Sequence, residues 1–250
     1  MKKHKEGIAV MHSFSISYPE TYRNNNKGYG RADALYALVL YGALMLAFLG
    51  LGLGFRLLGD ALTAGIVYLG EGIVTLLLFL LVFLVCRRRG QRFSSIGLGR
   101  EPFLASIKGA CAVLTAVISI VAVCFLLGAR CRYSFEHSMI RLWYYTFIIA
   151  ATEELFFRGY MGTRFYGALG GSRWSVVITA VLFALLHIPF QAAFAGVPVT
   201  EYLVMVWGQL LFTFCFHIVM QWCYARKESL LVPILIHAFW NFLPEVLFFS

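Results

Sequence analysis

Charged residues are scarce in this chain of 250 residues: they make up 13% of it, and only 12 residues are acidic. Hydrophobic residues account for 60%, and the mean hydropathy is +0.78. A soluble domain averages about 25% charged and about 45–50% apolar residues. The composition therefore excludes an ordinary soluble domain and indicates an integral membrane protein that crosses the bilayer several times.

Cysteine pairs and the common protease signatures are also missing. The six cysteines form no Cys-x-x-Cys pair, so we interpret them as small packing residues rather than disulfides or metal ligands. The His-Glu-x-x-His signature of zinc proteases is absent, and no serine or cysteine forms a nucleophile motif with a histidine. Any hydrolytic chemistry must therefore come from another set of side chains.

Seven apolar stretches are long enough to cross a membrane as helices, which takes about 20 mostly apolar residues each. They cover residues 34–55, 61–85, 109–129, 139–164, 174–200, 202–225 and 229–249. We therefore predict an all-α fold, a polytopic transmembrane helical bundle of about seven spans with a four-helix catalytic core. The predicted domains are a mobile basic cytoplasmic arm at 1–33, three spans with a basic loop at 34–138, and the four-span core at 139–250.

Lysine and arginine accumulate at alternate connections between the predicted spans. The arm is rich in both, residues 87–89 are all arginine, and Arg226 and Lys227 follow the sixth span, whereas residues 194–200 contain neither. Because positive charge marks the cytoplasmic side of a membrane protein, we expect the N-terminus in the cytoplasm and the C-terminus outside. The net charge of +9 forms no continuous basic face, so we expect the lipid bilayer as a partner and no nucleic acid.

Two adjacent glutamates, Glu153 and Glu154, lie within the fourth predicted span. Ionisable side chains at membrane depth are costly, and their default interpretation is functional. Glu154 and Arg158 are four residues apart, so they share a helix face and can pair, whereas Glu153 is rotated by about 100°. We interpret Glu154 as held by Arg158, and Glu153 as free to act as a general base or acid. A purely structural acid–arginine network is the alternative.

Polar groups on two later spans can complete a hydrolytic site. His187 lies four residues after Phe183 and shortly before a proline, and packing and function are equally open for it. His237 and Asn241 are four residues apart, so they share a face and can stabilise an oxyanion; hydrogen bonding between helices is their alternative role. With Glu153 as the base, these groups suffice for the attack of water on an amide.

Three remaining features have weaker patterns. His217 has no comparable neighbour, so we interpret it as a packing residue. Glu71 lies between two glycines, and we interpret it as local packing or as a contact on the substrate side. A catalytic zinc ion held by two histidines and a glutamate remains an alternative.

Three motifs together resemble the CPBP family of intramembrane proteases, also called the Abi or CAAX prenyl protease 2 family. They are Glu-Glu-x-x-x-Arg at 153–158, Phe-x-x-x-His at 183–187 and His-x-x-x-Asn at 237–241. Each motif alone is weak, but all three occur in order and each lies on a predicted span. The resemblance covers roughly residues 139–245.

This resemblance implies an intramembrane endopeptidase that hydrolyses a peptide bond in a membrane-associated, lipidated or leader-type peptide. It implies the catalytic residues Glu153, His187, His237 and Asn241 and the supporting residues Glu154, Arg158 and Phe183. Glu153 with His187 would activate the water. His237 and Asn241 would form the oxyanion hole. The resemblance favours a glutamate mechanism without a metal or other cofactor, with zinc as the alternative, and it suggests a bacterial cell membrane.

A non-catalytic membrane protein is the competing hypothesis. A scaffold or a small transporter could use the same polar cluster for packing or for proton coupling. Transporters often contain inverted repeats and broken helices, and no internal repeat is visible in this chain. The sequence therefore favours the protease.

Overall fold

In the computed structural model, which describes residues 18–249, the chain forms eight helices and one short β-ribbon. The helices are α1 (Glu20–Asn26), α2 (Arg31–Leu58), α3 (Ala64–Arg88), α4 (Arg100–Leu126), α5 (residues 135–168), α6 (Trp174–Ala195), α7 (Val199–Lys227) and α8 (Leu231–Val246). Short 3₁₀ turns lie at Gly59–Ala61 and Phe93–Ile96, and β1 (Ala129–Cys131) pairs antiparallel with β2 (Leu247–Phe249). The predicted all-α helical bundle is confirmed.

The helices follow the predicted spans in order. Within the described residues, five helical stretches are long and apolar enough to cross a membrane: Arg31–Ala61, Ala64–Arg88, Phe93–Leu126, Trp174–Ala195 and Val199–Lys227. Helix α8 is apolar but has only 16 residues, and α5 is long but carries the acidic pair. The orientation of the bundle, the domain boundaries and the exact number of crossings stay predictions.

Two helix ends differ from the sequence expectation for local reasons. The fifth span was expected to reach residue 200, but α6 ends at Ala195 because Gly196 adopts a left-handed φ of 70°, a conformation that glycine adopts without steric cost. Helix α3 begins at Ala64 rather than at residue 61. There the Thr63 side chain accepts a hydrogen bond from the backbone N–H of Ile66, as a favourable N-cap does.

The predicted N-terminal arm is in part packed against the bundle. Tyr22 on α1 is fully buried; its ring stacks on Tyr18 at 4.8 Å, and its hydroxyl accepts a hydrogen bond from Gln221 of α7 at 3.1 Å. The expectation of a mobile arm is therefore wrong for residues 18–33, because aromatic side chains anchor this segment. Residues 1–17 lie outside the described part of the chain.

A buried arginine connects the same end of the bundle. Arg164 near the end of α5 donates hydrogen bonds to Gln91 at 2.7 Å and to the Ser95 hydroxyl at 3.0 Å. Gln91 in turn donates to Asp33 on α2 at 2.7 Å, and Asp33 also pairs with Arg89 at 3.1 Å. This network fixes α2, the end of α3 and α5 relative to one another.

Helix α5 has an unusual internal geometry. Its α-helical start, Phe135–Trp143, is followed by π-helical turns at Tyr144–Ala150 and Glu154–Gly162, with α-helical Ala151–Glu153 between them and Thr163–Ala168 at the end. Wider π-turns within helices occur often at functional sites. The two adjacent glutamates lie at the junction between the second α-helical piece and the second π-helical piece.

A close helix contact at Gly159 generates a stability prediction. A Cβ atom at this position would overlap the backbone carbonyl oxygen of Ile96, and such overpacking costs about 1–3 kcal/mol. We therefore expect Gly159→Ala to lower the midpoint of thermal unfolding in detergent. Gly208→Ala on α7 is the matched control, since an added methyl group there meets no atom within 4 Å. Equal midpoints for the two variants would contradict the packing described.

Candidate active site

A cavity of about 360 Å³ opens inside the bundle between α2, α3 and the helices α5 to α8. Among the residues that line it are Glu153, His187, His237, Asn241 and Phe183. These side chains come from α5, α6 and α8, so the fold brings all four predicted catalytic positions to one cavity. The cavity wall is otherwise largely aromatic and aliphatic.

The three predicted supporting residues form a buried unit behind the cavity. Arg158 Nη1 lies 3.1 Å from Glu154 Oε1, and both side chains are fully buried. The Arg158 guanidinium also lies over the Phe183 ring, 4.2 Å from its centroid, and a cation is attracted to the face of an aromatic ring. The i, i+4 pairing expected from spacing is present, and Phe183 covers the charged group on its other side.

His237 lies between the two glutamates. Its Nδ1 is 2.8 Å from Glu154 Oε1, and its Nε2 is 3.7 Å from Glu153 Oε2. Because an ionised carboxylate can only accept hydrogen bonds, Nδ1 of His237 carries the proton in this contact. The contact therefore leaves Nε2 on the side of Glu153 and the cavity. The sequence spacing contains no signal for this link between α5 and α8.

The two adjacent glutamates have different surroundings. Glu154 is fully buried and has two partners, whereas the Glu153 side chain is 14% exposed and lines the cavity. Within the described residues, Glu153 Oε2 has no hydrogen-bond partner. This oxygen is itself buried, so the part of the Glu153 side chain that meets the cavity lies at its other atoms.

His187 is oriented by its own helix. Its Nδ1 lies 3.1 Å from the carbonyl oxygen of Phe183, one turn earlier on α6. A carbonyl oxygen only accepts hydrogen bonds, so Nδ1 is the donor and Nε2 of the neutral ring is left as an acceptor. Helix α6 continues past Pro189 to Ala195, so the ring sits on a continuous helix.

Sequence reasoning assigned little to two residues that the structure distinguishes. Glu71 on α3 lines the cavity and accepts a hydrogen bond from the hydroxyl of Tyr144. His217 is fully buried, lies 3.0 Å from the Thr179 hydroxyl and is not among the cavity-lining residues. The packing interpretation fits His217, whereas Glu71 belongs to the cavity wall. Tyr144 gave no sequence signal beyond being an aromatic residue in a predicted span.

The polar side chains described here do not make a metal site. Within residues 18–249, no group of three or more histidine, cysteine, aspartate or glutamate side chains is arranged to hold an ion. The Nδ1 atom of His237 already donates to Glu154, which leaves the ring one free nitrogen. The side chains of the zinc alternative are thus not arranged around a common point in the described residues, and the choice between a glutamate and a zinc mechanism stays a prediction.

Comparison with known proteins gives one family. Residues 134–243 match the family model described as type II CAAX prenyl endopeptidase Rce1-like. This segment contains all three sequence motifs and the helices α5, α6 and α7, and it leaves residues 1–133 outside the match. No significant match was found among curated proteins or among solved structures.

The buried ion pair generates a prediction for Arg158. Removing one partner of a buried pair leaves an uncompensated charge and costs about 3–5 kcal/mol, so we expect Arg158→Met to lower thermal stability strongly. The double variant Glu154→Gln/Arg158→Met removes both charges and should recover part of the loss. Arg88→Met changes an exposed side chain and serves as the control in the same unfolding assay. Similar losses of thermal stability for Arg158→Met and for the control Arg88→Met would contradict a stabilising pair.

Proposed function

We propose, from the premise that residues 134–243 belong to the type II CAAX prenyl endopeptidase Rce1-like family, that the chain is an intramembrane endopeptidase. It hydrolyses a peptide bond in a membrane-associated peptide of the lipidated or leader type, with water activated by a glutamate. The observation that carries the proposal is the convergence of Glu153, His187, His237 and Asn241 on one cavity within an apolar bundle. A cavity of about 360 Å³ has room for a peptide segment and a water molecule.

Water activation is assigned to Glu153. Its carboxylate belongs to the cavity lining and accepts a proton from the water while the water oxygen attacks the peptide carbonyl. His187 assists through Nε2, the nitrogen that its contact with the Phe183 carbonyl leaves as an acceptor. The C–N bond of the tetrahedral intermediate then breaks as the proton held by Glu153 passes to the nitrogen of the departing amine, and this transfer regenerates the Glu153 carboxylate.

Stabilisation of the oxyanion is assigned to Asn241 and His237. The side-chain amide of Asn241 can donate whether the His237 ring is neutral or protonated. His237, in contrast, already uses its Nδ1 proton on Glu154. Its Nε2 can therefore donate to an oxyanion only when the ring is an imidazolium, since both nitrogens are donors only in that form.

The central test is the loss of the base. A general base contributes about 10²–10⁴-fold to a rate, so Glu153→Gln should reduce cleavage by about that factor while the protein remains folded. The assay uses purified protein in lipid vesicles with a farnesylated CAAX-type peptide and a leader-type peptide, and mass spectrometry detects the products.

Glu101→Gln is the matched control, since Glu101 is an exposed acid in the first turn of α4, away from the cavity. Cleavage by Glu153→Gln at the wild-type rate would refute the mechanism. A folded wild-type protein that cleaves neither peptide would favour a scaffold or transporter.

Metal dependence is tested in the same assay. Because the side chains described do not assemble a metal site, cleavage should continue at an unchanged rate after incubation with a strong chelator. Atomic absorption on the purified protein gives a second measurement. A loss of activity that added zinc restores, together with one bound ion per chain, would replace the glutamate mechanism by a metal-dependent one.

A further inference from the structure

Glu71 is a second carboxylate on the cavity wall, and it lies outside the residues that match the family model. It is on α3 and lines the same cavity of about 360 Å³ as Glu153 on α5. The two carboxylates also line a smaller cavity of about 20 Å³, which has room for about one water molecule. Glu71 and Glu153 therefore line the same two cavities from different helices.

The position of Glu71 is fixed by contacts between α3 and α5. The Tyr144 hydroxyl donates to Glu71 Oε2, and the Tyr144 ring packs on Tyr68 with centroids 4.3 Å apart. One turn further along α3, the Thr75 hydroxyl donates to the carbonyl of Ile148 at 3.3 Å. Tyr144 occupies only one carboxylate oxygen, so the other can accept a hydrogen bond from a bound molecule.

The charged groups on this wall are predominantly of one sign. Among the described cavity-lining residues, Glu71 and Glu153 are the acids and no lysine or arginine is present. The other titratable groups are two histidines and two tyrosines: His187, His237, Tyr144 and Tyr145. The Arg158 cation is fully buried behind Glu154 and does not line the cavity. A negative cavity with apolar walls attracts positive groups and repels negative ones, and charge complementarity of this kind determines specificity.

We propose that Glu71 is a specificity-determining residue that selects peptides with a positive charge next to the scissile bond. A lysine ammonium, an arginine guanidinium or a free α-amine donates to the open oxygen of Glu71, whereas a carboxylate at that position is repelled by Glu71. The inference rests on the proposed proteolytic function and names its substrate class, a basic peptide segment at the membrane. A substrate whose free C-terminal carboxylate lies beside the scissile bond is disfavoured.

The test uses three peptides with an amidated C-terminus that differ only in the residue beside the cleaved bond. This residue is lysine, glutamine or glutamate. For the wild-type protein, kcat/KM for the lysine peptide should exceed that for the glutamate peptide by about tenfold or more, mostly through KM. In Glu71→Gln this ratio should fall to near one. Tyr144→Phe keeps the carboxylate and should keep a ratio well above one.

Glu101→Gln is the control for a charge change elsewhere on the protein, and it should leave both rate and ratio at wild-type values. A wild-type ratio near one would overturn the inference. A full ratio retained in Glu71→Gln would also overturn it, because the selectivity would then come from another group.

Binding separates this inference from the proposed function. In the Glu153→Gln background, fluorescence anisotropy measures the affinity of the labelled peptides without cleavage. Tighter binding of the lysine peptide that disappears in Glu71→Gln/Glu153→Gln supports the role of Glu71 even if the wild-type protein cleaves nothing. Equal affinities for the lysine and glutamate peptides, or no binding of the lysine peptide, would refute it.

Discussion

The carboxylate of Glu154 makes the contact on which the candidate active site depends. One of its oxygens lies 3.1 Å from Arg158 and 2.8 Å from His237. Buried charges are costly when they are unpaired. Among the described residues the Arg158 guanidinium nitrogens and Oε2 of Glu154 have no hydrogen-bond partner, so the compensation comes from the close ion pair and from the contact with His237. The three side chains therefore depend on each other, and together they join α5 to α8 at the depth where the cavity opens.

Adjacency in the chain gives the two glutamates complementary roles in the proposed mechanism. Because neighbouring side chains on a helix diverge by about 100°, Glu154 can point into the bundle while Glu153 faces the cavity. Glu154 holds Nδ1 of His237, which leaves Nε2 of the same ring 3.7 Å from Glu153. One helical turn thus places the carboxylate that holds Nδ1 of His237 and also determines how far Nε2 of the same ring lies from the proposed base.

Local spacing predicted the contacts within one helix, but it could not predict those between helices. The i, i+4 rule identified the pair of Glu154 and Arg158, and hydropathy identified the order of the helices. The contact from His237 to Glu154 spans 83 positions in the chain, and periodicity indicates which face a residue occupies without naming the opposing helix. The anchoring of Tyr22 was missed for the same reason. The position of Glu71 in the cavity wall agrees with the alternative of a contact on the substrate side, but its partner Tyr144 could not be named from the sequence.

The cavity combines two parts of the chain, and this has a consequence for how its selectivity can vary. The groups assigned to hydrolysis lie on α5, α6 and α8, within the segment that matches the family model, whereas Glu71 lies on α3, outside it. The contact from Tyr144 to Glu71 is one of the hydrogen bonds between described residues that join the two parts, together with the one from Thr75 to the Ile148 carbonyl. A change on α3 can therefore alter the charge that meets a peptide while the buried unit of Glu154, Arg158 and His237 stays intact. Under the proposed roles, the matched segment supplies the groups for hydrolysis, and Glu71 in the first half of the chain selects among the peptides that reach them.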